Sequence, residues 1–263
     1  MTSKKNIVIA FDLYGTLLSI ESIAKELATH FGDEKAGSIA ALWRRYQLEY
    51  TWRMNSMGLY KPFSDITRTS LQHALAEHSV TLSSTNITNL MKAYDSLGTF
   101  PDVEPGLKAV SSDPSISAYV FSNGTDAMVS SSVNQSPSLS PQSSVFKGLI
   151  TVQEVELFKP HPKVYYHLAE EVGKTKEEMG SIWLVSGNPF DVVGARAVGM
   201  QAAWVDRAEK GWSDRLGELA SGGPTLVVSG VEDAVRKIKN WTEKKGEQSG
   251  AGLNKEEAAM GPG

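Results

Sequence analysis

Residues 7–16 read IVIAFDLYGT, five apolar residues followed by an aspartate and a glycine-containing turn. A run that is apolar at every position is typical of a strand buried on both faces of a parallel sheet. Asp12 would then stand at the carboxyl end of this strand, which is where open α/β sheets bind their ligands. An Asp-x-x-Gly sequence also occurs in ordinary turns, so this stretch predicts the strand but leaves the role of Asp12 open.

Shorter apolar runs recur later in the chain. They predict further strands, at 118–121, 182–185, 202–205 and 226–228. Helical patterns separate them, at 125–135, 162–173, 189–199 and 230–242. Strands that alternate with helices predict an α/β fold with a doubly wound parallel sheet, whose polar site lies at the carboxyl ends of its strands.

The interval 19–100 breaks this alternation. It has no strong strand pattern and instead contains amphipathic stretches, at 21–31, 34–54, 64–78 and 84–97. We therefore predict a small helical cap domain at 19–100, inserted into a core domain formed by 1–18 and 101–243. The Ser- and Pro-rich segment 130–144 predicts a surface loop. Residues 244–263 are polar and without period, which predicts a disordered tail.

The composition excludes several classes of protein. The chain has 263 residues and a net charge of -4, and its basic residues are scattered, so it offers no cationic stripe to nucleic acid. No apolar run approaches the roughly 20 residues that span a bilayer, and no signal-peptide pattern is present. We therefore expect a soluble, cytoplasmic protein without a membrane partner. The absence of cysteine excludes disulfides, zinc-thiolate sites and cysteine nucleophiles.

Polar residues gather at the ends of the predicted strands and near the starts of the helices that follow. Thr16, in the turn after Asp12, is a catalytic candidate because it can hold the carboxylate. Further polar groups follow at later strand ends or loops; these are Ser122, Asn123, Lys159, Ser186, Asn188 and Asp191. Each has a bland interpretation: Ser-Asn-Gly is a common cap, Asp191 suits the first turn of a helix, and a lone lysine is usually exposed. Their common order and position instead predict one site around an aspartate nucleophile.

This order of motifs resembles the haloacid dehalogenase superfamily, from Asn6 to about Trp241. The superfamily pattern is an aspartate nucleophile, a Ser or Thr, a Lys and an acidic cluster. Its phosphatases carry a second aspartate two residues after the nucleophile as a general acid, and this chain has Tyr14 there. They also usually have two acidic residues in the last motif, where this chain offers only Asp191.

At both of these positions the chain resembles the L-2-haloacid dehalogenase branch of the superfamily. That branch has an arginine within a Trp-Arg-x-x-Gln-Leu-Glu-Tyr-like sequence, and residues 43–50 here read WRRYQLEY. The resemblance implies a Rossmann-like haloacid dehalogenase fold with a helical cap. It implies hydrolysis of small (S)-2-haloacids to (R)-2-hydroxyacids, with inversion, through an aspartyl ester. The partners would be a small halogenated carboxylic acid and water, with no cofactor and no metal.

The resemblance also implies roles for individual residues. Asp12 would attack the carbon that bears the halogen, Lys159 would orient it, and Asp191 with Ser186 would place the hydrolytic water. Arg44, which could otherwise lie on a solvated helix face, would sit over the halide or the substrate carboxylate. The remaining substrate-binding candidates are polar neighbours or walls of an apolar pocket: Tyr14, Leu48, Phe63, Ser122, Asn123, Tyr165, Asn188 and Phe190. Arg45 stands where the branch more often has a neutral residue, and its guanidinium could share or disturb the anion site. Phe190 stands where the branch often has tryptophan, which widens the pocket and leaves substrate size open.

Two alternatives remain at this point. One is a phosphatase of the same fold, and the other is a non-catalytic member that only binds a ligand or a partner. Related enzymes are often dimers, so the resemblance also implies a homodimer for which the helical insertion supplies a surface.

Overall fold

The computed structural model describes residues 6–94 and 96–259, with the backbone alone at 21, 22 and 246–259. Six parallel strands form one sheet in the order β3-β2-β1-β4-β5-β6. The predicted doubly wound α/β sheet is confirmed. The strands are β1 Ile7–Phe11, β2 Ile116–Ser122, β3 Phe146–Thr151, β4 Ile182–Ser186, β5 Gln201–Val205 and β6 Leu226–Val228.

Helices form the insertion and also flank the sheet. The helices are α1 Glu21–Phe31, α2 Asp33–Met57, α3 Phe63–Glu77, α4 Ser84–Tyr94, α5 Val103–Ser111, α6 Asp126–Gln135, α7 Pro162–Glu171, α8 Pro189–Ala197, α9 Leu216–Ala220 and α10 Val231–Ala259. Two 3-10 helices lie at Ser140–Val145 and Lys176–Ser181. Within the described residues, none of these helices is both long enough and apolar enough to cross a bilayer.

Strand β1 lies at the centre of the sheet, and all five of its residues are buried. It pairs with β2 on one side and β4 on the other, with Phe11 opposite Val120 and Val185. An apolar residue at every position fits this place because both faces are covered by helices. The residues that follow β1, β2 and β4 therefore meet at one edge.

The insertion contains α1–α4 and is joined to the sheet by two adjacent stems. Ser19 N donates to Gly98 O at 2.8 Å, and Phe100 N donates to Leu17 O at 3.3 Å. Leu18 bridges to Thr99 between these bonds. The four predicted helical stretches match α1–α4 closely, while the domain boundaries at 19 and 100 stay predictions.

Strand β3 and helix α5 were not predicted. Strand β3 lies at the edge of the sheet, so Lys147 and Gly148 interrupt its apolar pattern where it faces solvent. Helix α5 contains Pro105 in its first turn, where a proline costs no hydrogen bond. The next residue, Gly106, must be small because a Cβ at this position would lie 2.7 Å from Val231 Cγ1 of α10.

One further segment, the predicted surface loop, differs from expectation. The predicted surface loop at 130–144 is partly helical, and Ser132, Ser136 and Leu139 are fully buried where α6 contacts β3 and the 3-10 helix Ser140–Val145 contacts α5 and α6. Helix α10 runs to Ala259, through most of the segment 244–263, and the disordered tail expected there stays a prediction. Residues 260–263 of that tail lie outside the described residues.

Candidate active site

Asp12, the predicted nucleophile, directly follows the central strand β1. Its backbone N donates to Val185 O at 3.0 Å and so extends the pairing of β1 with β4 by one residue. Its side chain is only 10% exposed. The carboxylate is therefore fixed at its root by the sheet and largely removed from water.

One oxygen of Asp12, Oδ2, is surrounded by hydrogen-bond donors. Thr16 Oγ1 and Asn188 Nδ2 each donate to it at 2.7 Å, and Ser186 Oγ donates at 3.4 Å. Thr16 Oγ1 in turn accepts from Gly187 N at 2.9 Å. Residue 187 must be glycine for this approach, because a Cβ would lie 2.7 Å from a backbone oxygen of the Asp12 turn. The structure thus joins the first and last predicted motifs.

The other oxygen of Asp12, Oδ1, faces the ammonium group of Lys159 at 3.2 Å. The same nitrogen donates to Asp191 Oδ2 at 2.8 Å and to Phe121 O at 2.8 Å. An ammonium group has three hydrogens, so these three acceptors use all of them. Lys159 is 1% exposed, and its charge also lies 4.0 Å from the centre of the Phe121 ring. Its position is therefore closely determined.

Asp191 is completely buried behind Lys159. Burial raises the pKa of the Asp191 carboxyl, and the adjacent Lys159 ammonium opposes that rise. Tyr165 donates its hydroxyl to Asp191 Oδ1 at 2.8 Å, and burial beside Asp191 raises the pKa of Tyr165 well above its ordinary value. Both oxygens of Asp191 are thus engaged by protein donors. Its expected role in placing the hydrolytic water stays a prediction.

Arg44 reaches the site from α2. Its Nη2 donates to Asn188 Oδ1 at 3.3 Å and to Tyr14 O at 3.4 Å, and its Nη1 donates to Gln47 Oε1 at 2.6 Å. Arg45 is exposed on another face of the helix and lies over the Tyr46 ring. The structure therefore directs the first guanidinium to the nucleophile and keeps the second one away from it.

Ser122 and Asn123 follow β2, beside the end of β1. Ser122 is fully buried, and its Oγ accepts from Gly124 N at 3.0 Å. Asn123 Oδ1 accepts from Lys159 N at 2.9 Å. Within the described residues no protein acceptor lies in hydrogen-bond range of Asn123 Nδ2, so it can donate to an anion. The geometry suits the expected role of Asn123 more directly than that of Ser122.

The predicted apolar wall is present in part. The ring of Tyr14 stacks on Phe63 with centroids 6.2 Å apart and lies 5.3 Å from the ring of Tyr94, and all three are buried. Leu48 and Phe190 are half-buried. Phe190 meets the edge of Trp52 from α2 at 5.3 Å. The wall is thus shared between the sheet and the helical insertion.

Several contacts around the site were not assigned from the sequence. Gln47 and Tyr94 hold Arg44, because Gln47 Oε1 accepts from both side chains. From later turns of α2, Trp52 contacts Phe190 of α8 and Asn55 bonds Phe158 in the loop after β3. The available signal was spacing, since positions 44, 48, 52 and 55 fall on one side of a helix.

A family model described as haloacid dehalogenase-like hydrolase matches residues 8–199. The chain belongs to this family. Within it, the chain is 32% identical to an (S)-2-haloacid dehalogenase from Pseudomonas fluorescens, over 88% of this chain and 94% of that protein. It is 33% identical to haloacetate dehalogenase H-2 from Moraxella sp. (strain B), over 78% of this chain and 87% of the relative. The chain is therefore a member of the (S)-2-haloacid dehalogenase branch.

Solved structures of this branch have the same fold. L-2-haloacid dehalogenase from Xanthobacter autotrophicus aligns with a TM-score of 0.76 at 27% identity, covering 88% of this chain and 98% of that one. A second structure of that enzyme, with chloropropionic acid covalently bound, aligns with a TM-score of 0.75 at 26% identity and the same coverage. The haloacid dehalogenase fold expected from the motifs is confirmed.

Proposed function

We propose that this protein hydrolyses small (S)-2-haloacids to (R)-2-hydroxyacids through an ester on Asp12. The observation that carries the proposal is the asymmetry of the Asp12 carboxylate. Oδ2 accepts from Thr16, Asn188 and Ser186, whereas Oδ1 meets only Lys159 among the described residues. One oxygen is thus held as a carbonyl oxygen would be, and the other keeps lone pairs for attack.

In the first step, Oδ1 of Asp12 attacks C2 of the substrate from the side opposite the halogen. The C2–O bond forms while the carbon–halogen bond breaks, the halide leaves with the bonding electrons, and C2 is inverted. No proton moves. Arg44 and the Asn123 amide would stabilise the anions, and the aromatic wall of Tyr14 and Phe63 excludes water from the displacement.

In the second step, water adds to Cγ of the Asp12 ester. Negative charge then develops on Oδ2, where the Thr16 and Asn188 donors already lie at 2.7 Å. Donors placed in advance at such an oxygen typically contribute about 10²–10³-fold in rate. The tetrahedral adduct collapses, the hydroxyacid leaves with the former Oδ1, and the protons of water are shared between product and medium. Lys159 and Asp191 are the proposed proton-handling groups.

A divalent cation does not fit these residues. Asp12 Oδ2 and Tyr14 O would be natural ligands, but both accept from Asn188 Nδ2, at 2.7 and 3.1 Å. Asp12 Oδ1 and Asp191 Oδ2 both face the Lys159 ammonium. Magnesium requires several hard oxygens free of such donors. We therefore propose metal-independent catalysis and derive no step through a metal.

The phosphatase alternative is disfavoured by the same geometry. Tyr14 occupies the position of the general acid, and its ring is packed between Phe63 and Tyr94. A purely binding member would not need the donors that converge on Asp12 Oδ2. The homodimer and the cytoplasmic location stay predictions.

The direct test is halide release from chloroacetate and from both enantiomers of 2-chloropropionate. We expect release from chloroacetate and the (S) enantiomer, unchanged by a chelator and abolished by Asp12→Asn. A single turnover in ¹⁸O-water should label Asp12 and leave the product unlabelled. Label in the product with none on Asp12 would rule out the covalent route, and no halide release from any substrate would reject the function.

A further inference from the structure

Asn55 connects helix α2 to the residue that precedes Lys159. Asn55 Nδ2 donates to Phe158 O at 2.7 Å, and Asn55 Oδ1 accepts from Phe158 N at 2.9 Å. One side-chain amide thus bonds both backbone polar groups of Phe158 across 103 positions of sequence, and Phe158 O also accepts from His161 N at 3.0 Å. A side chain must carry a donor and an acceptor in this geometry to do so, which among the residue types fits an amide best.

The turn that carries Lys159 is held from two sides. On the side of the sheet, Lys159 N donates to Asn123 Oδ1 at 2.9 Å. On the side of the insertion, the buried ring of Phe158 lies 5.2 Å from the ring of Tyr60 and 6.2 Å from that of Phe63. Asn55 adds the hydrogen bonds that fix the peptide itself between these contacts.

The position of this peptide decides what the lysine can reach. Lys159 Nζ has three acceptors at 2.8 to 3.2 Å, and a shift of its backbone would lengthen at least one of these bonds. The bond to Asp12 Oδ1 is the longest of the three and the one that faces the attacking oxygen. It is therefore the contact most easily lost.

We propose that Asn55 is a positioning residue for Lys159, and that α2 sets both cations of the site at once. Arg44, three helical turns before Asn55, contacts Asn188 on one side of Asp12. Asn55 controls the lysine on the other side through Phe158. Seating of the helical insertion on the sheet therefore aligns both charges with the nucleophile. This inference rests on the proposed dehalogenation.

The test compares Asn55→Ala with Ser56→Ala, an exposed neighbour on the same helix. We expect Asn55→Ala to lower kcat by about 10- to 100-fold with a smaller change in KM, as misplacement of a reacting group does. Hydrogen–deuterium exchange at the Phe158 amide should be faster in Asn55→Ala and unchanged in Ser56→Ala. A kcat within twofold of the control, or a loss that only follows the fraction of folded protein, would overturn the proposal.

The variant Asn55→Asp provides a second and more specific test of the same proposal. The ionised carboxyl keeps an acceptor for Phe158 N but repels Phe158 O, whereas the protonated carboxyl regains a donor. We expect the ratio of variant to wild-type kcat to rise as the pH falls through the pKa of the new carboxyl. A ratio that is flat with pH would count against positioning. If the wild type released no halide, the proposed function would fail, while exchange at Phe158 would still decide the contact of Asn55.

Discussion

Tyr165 donates its hydroxyl hydrogen to Asp191 Oδ1 at 2.8 Å inside a completely buried pair. Because burial raises the pKa of Tyr165 well above its ordinary value, the hydroxyl remains a donor across the working pH range. It stabilises the ionised form of a carboxyl whose pKa burial otherwise raises. Tyr165 therefore helps to keep Asp191 charged against Lys159.

Tyr165→Phe should shift the pH profile of kcat/KM. Loss of a donor to the ionised carboxyl raises the pKa of Asp191 further, so the acidic limb of activity should move to higher pH. A hydrogen bond to a charged group is worth about 1.5–3 kcal/mol, and stability should fall by a similar amount. Tyr166→Phe, at the half-buried neighbouring position, is the control and should leave the limb in place. An unshifted limb in Tyr165→Phe would contradict the role.

Arg44→Ala and Arg45→Ala should differ sharply although they are adjacent. Arg44 points at Asn188 and Tyr14, so its removal should lower kcat/KM for halide release by about 10²–10³-fold. Arg45 is exposed, and its removal should change kcat/KM less than twofold. Similar losses in both variants would show that the two guanidinium groups act together.

Gln47→Leu should weaken catalysis through Arg44. Gln47 is buried and accepts from Arg44 Nη1 at 2.6 Å and from the Tyr94 hydroxyl at 3.0 Å. In a double-mutant cycle with Arg44→Ala, the losses in kcat/KM should be strongly non-additive, because Gln47 has nothing to orient once Arg44 is gone. Additive losses would separate Gln47 from the function of Arg44.

Phe190→Ala should broaden the range of accepted substrates. Phe190 and Trp52 meet edge to face at 5.3 Å between the sheet and α2. Removal of one ring should raise kcat/KM for 2-chlorobutyrate relative to chloroacetate. Leu219→Ala, at an 87% exposed position, serves as the control. An unchanged ratio in Phe190→Ala would place this pair outside the substrate path.

Asp102→Asn should remove a pH-dependent part of the stability. Burial of the Asp102 carboxyl opposes ionisation, but hydrogen bonds from Arg207 and Val231 N hold its pKa below the ordinary value. A carboxyl with a lowered pKa stabilises the fold above its unfolded pKa, near 3.9, and this stability disappears as the pH falls further.

Urea unfolding at two pH values measures this effect. The free energy of unfolding of the wild type should exceed that of Asp102→Asn by about 1–3 kcal/mol at pH 7. This difference should be smaller at pH 3. Glu104→Gln, which removes an exposed pair with Lys108, should change stability by less than about 1 kcal/mol. If the difference in unfolding free energy between the wild type and Asp102→Asn were the same at both pH values, the charge of Asp102 would not be its cause.

The sequence predicts those elements whose residue pattern favours one type of secondary structure. The apolar run at 7–11 is typical of a strand covered on both faces, and β1 occupies the centre of the sheet. The amphipathic stretches of the insertion likewise match α1–α4. Strand β3 was not predicted, because an edge strand needs no continuous apolar run.

The convergence of Asp12 with Ser186 and Asn188 followed from the rule that carboxyl ends of parallel strands meet at one edge, whereas Lys159 lies in the loop after the unpredicted strand β3 and was assigned by the resemblance. The link between Asn55 and Phe158 had no such rule behind it. It depends on how α2 crosses the sheet, and helix orientation is not encoded in local spacing. Contacts between the insertion and the sheet therefore required the structure.

The paired stems at Leu18 and Thr99 make the origin and the return of the insertion near neighbours in space. The strand that bears the nucleophile thus closes its contacts with β2 and β4 without help from the helices above it. Exchange of the helical unit would therefore leave Asp12 in place on its strand, but it would take Arg44 and Asn55 away from that carboxylate.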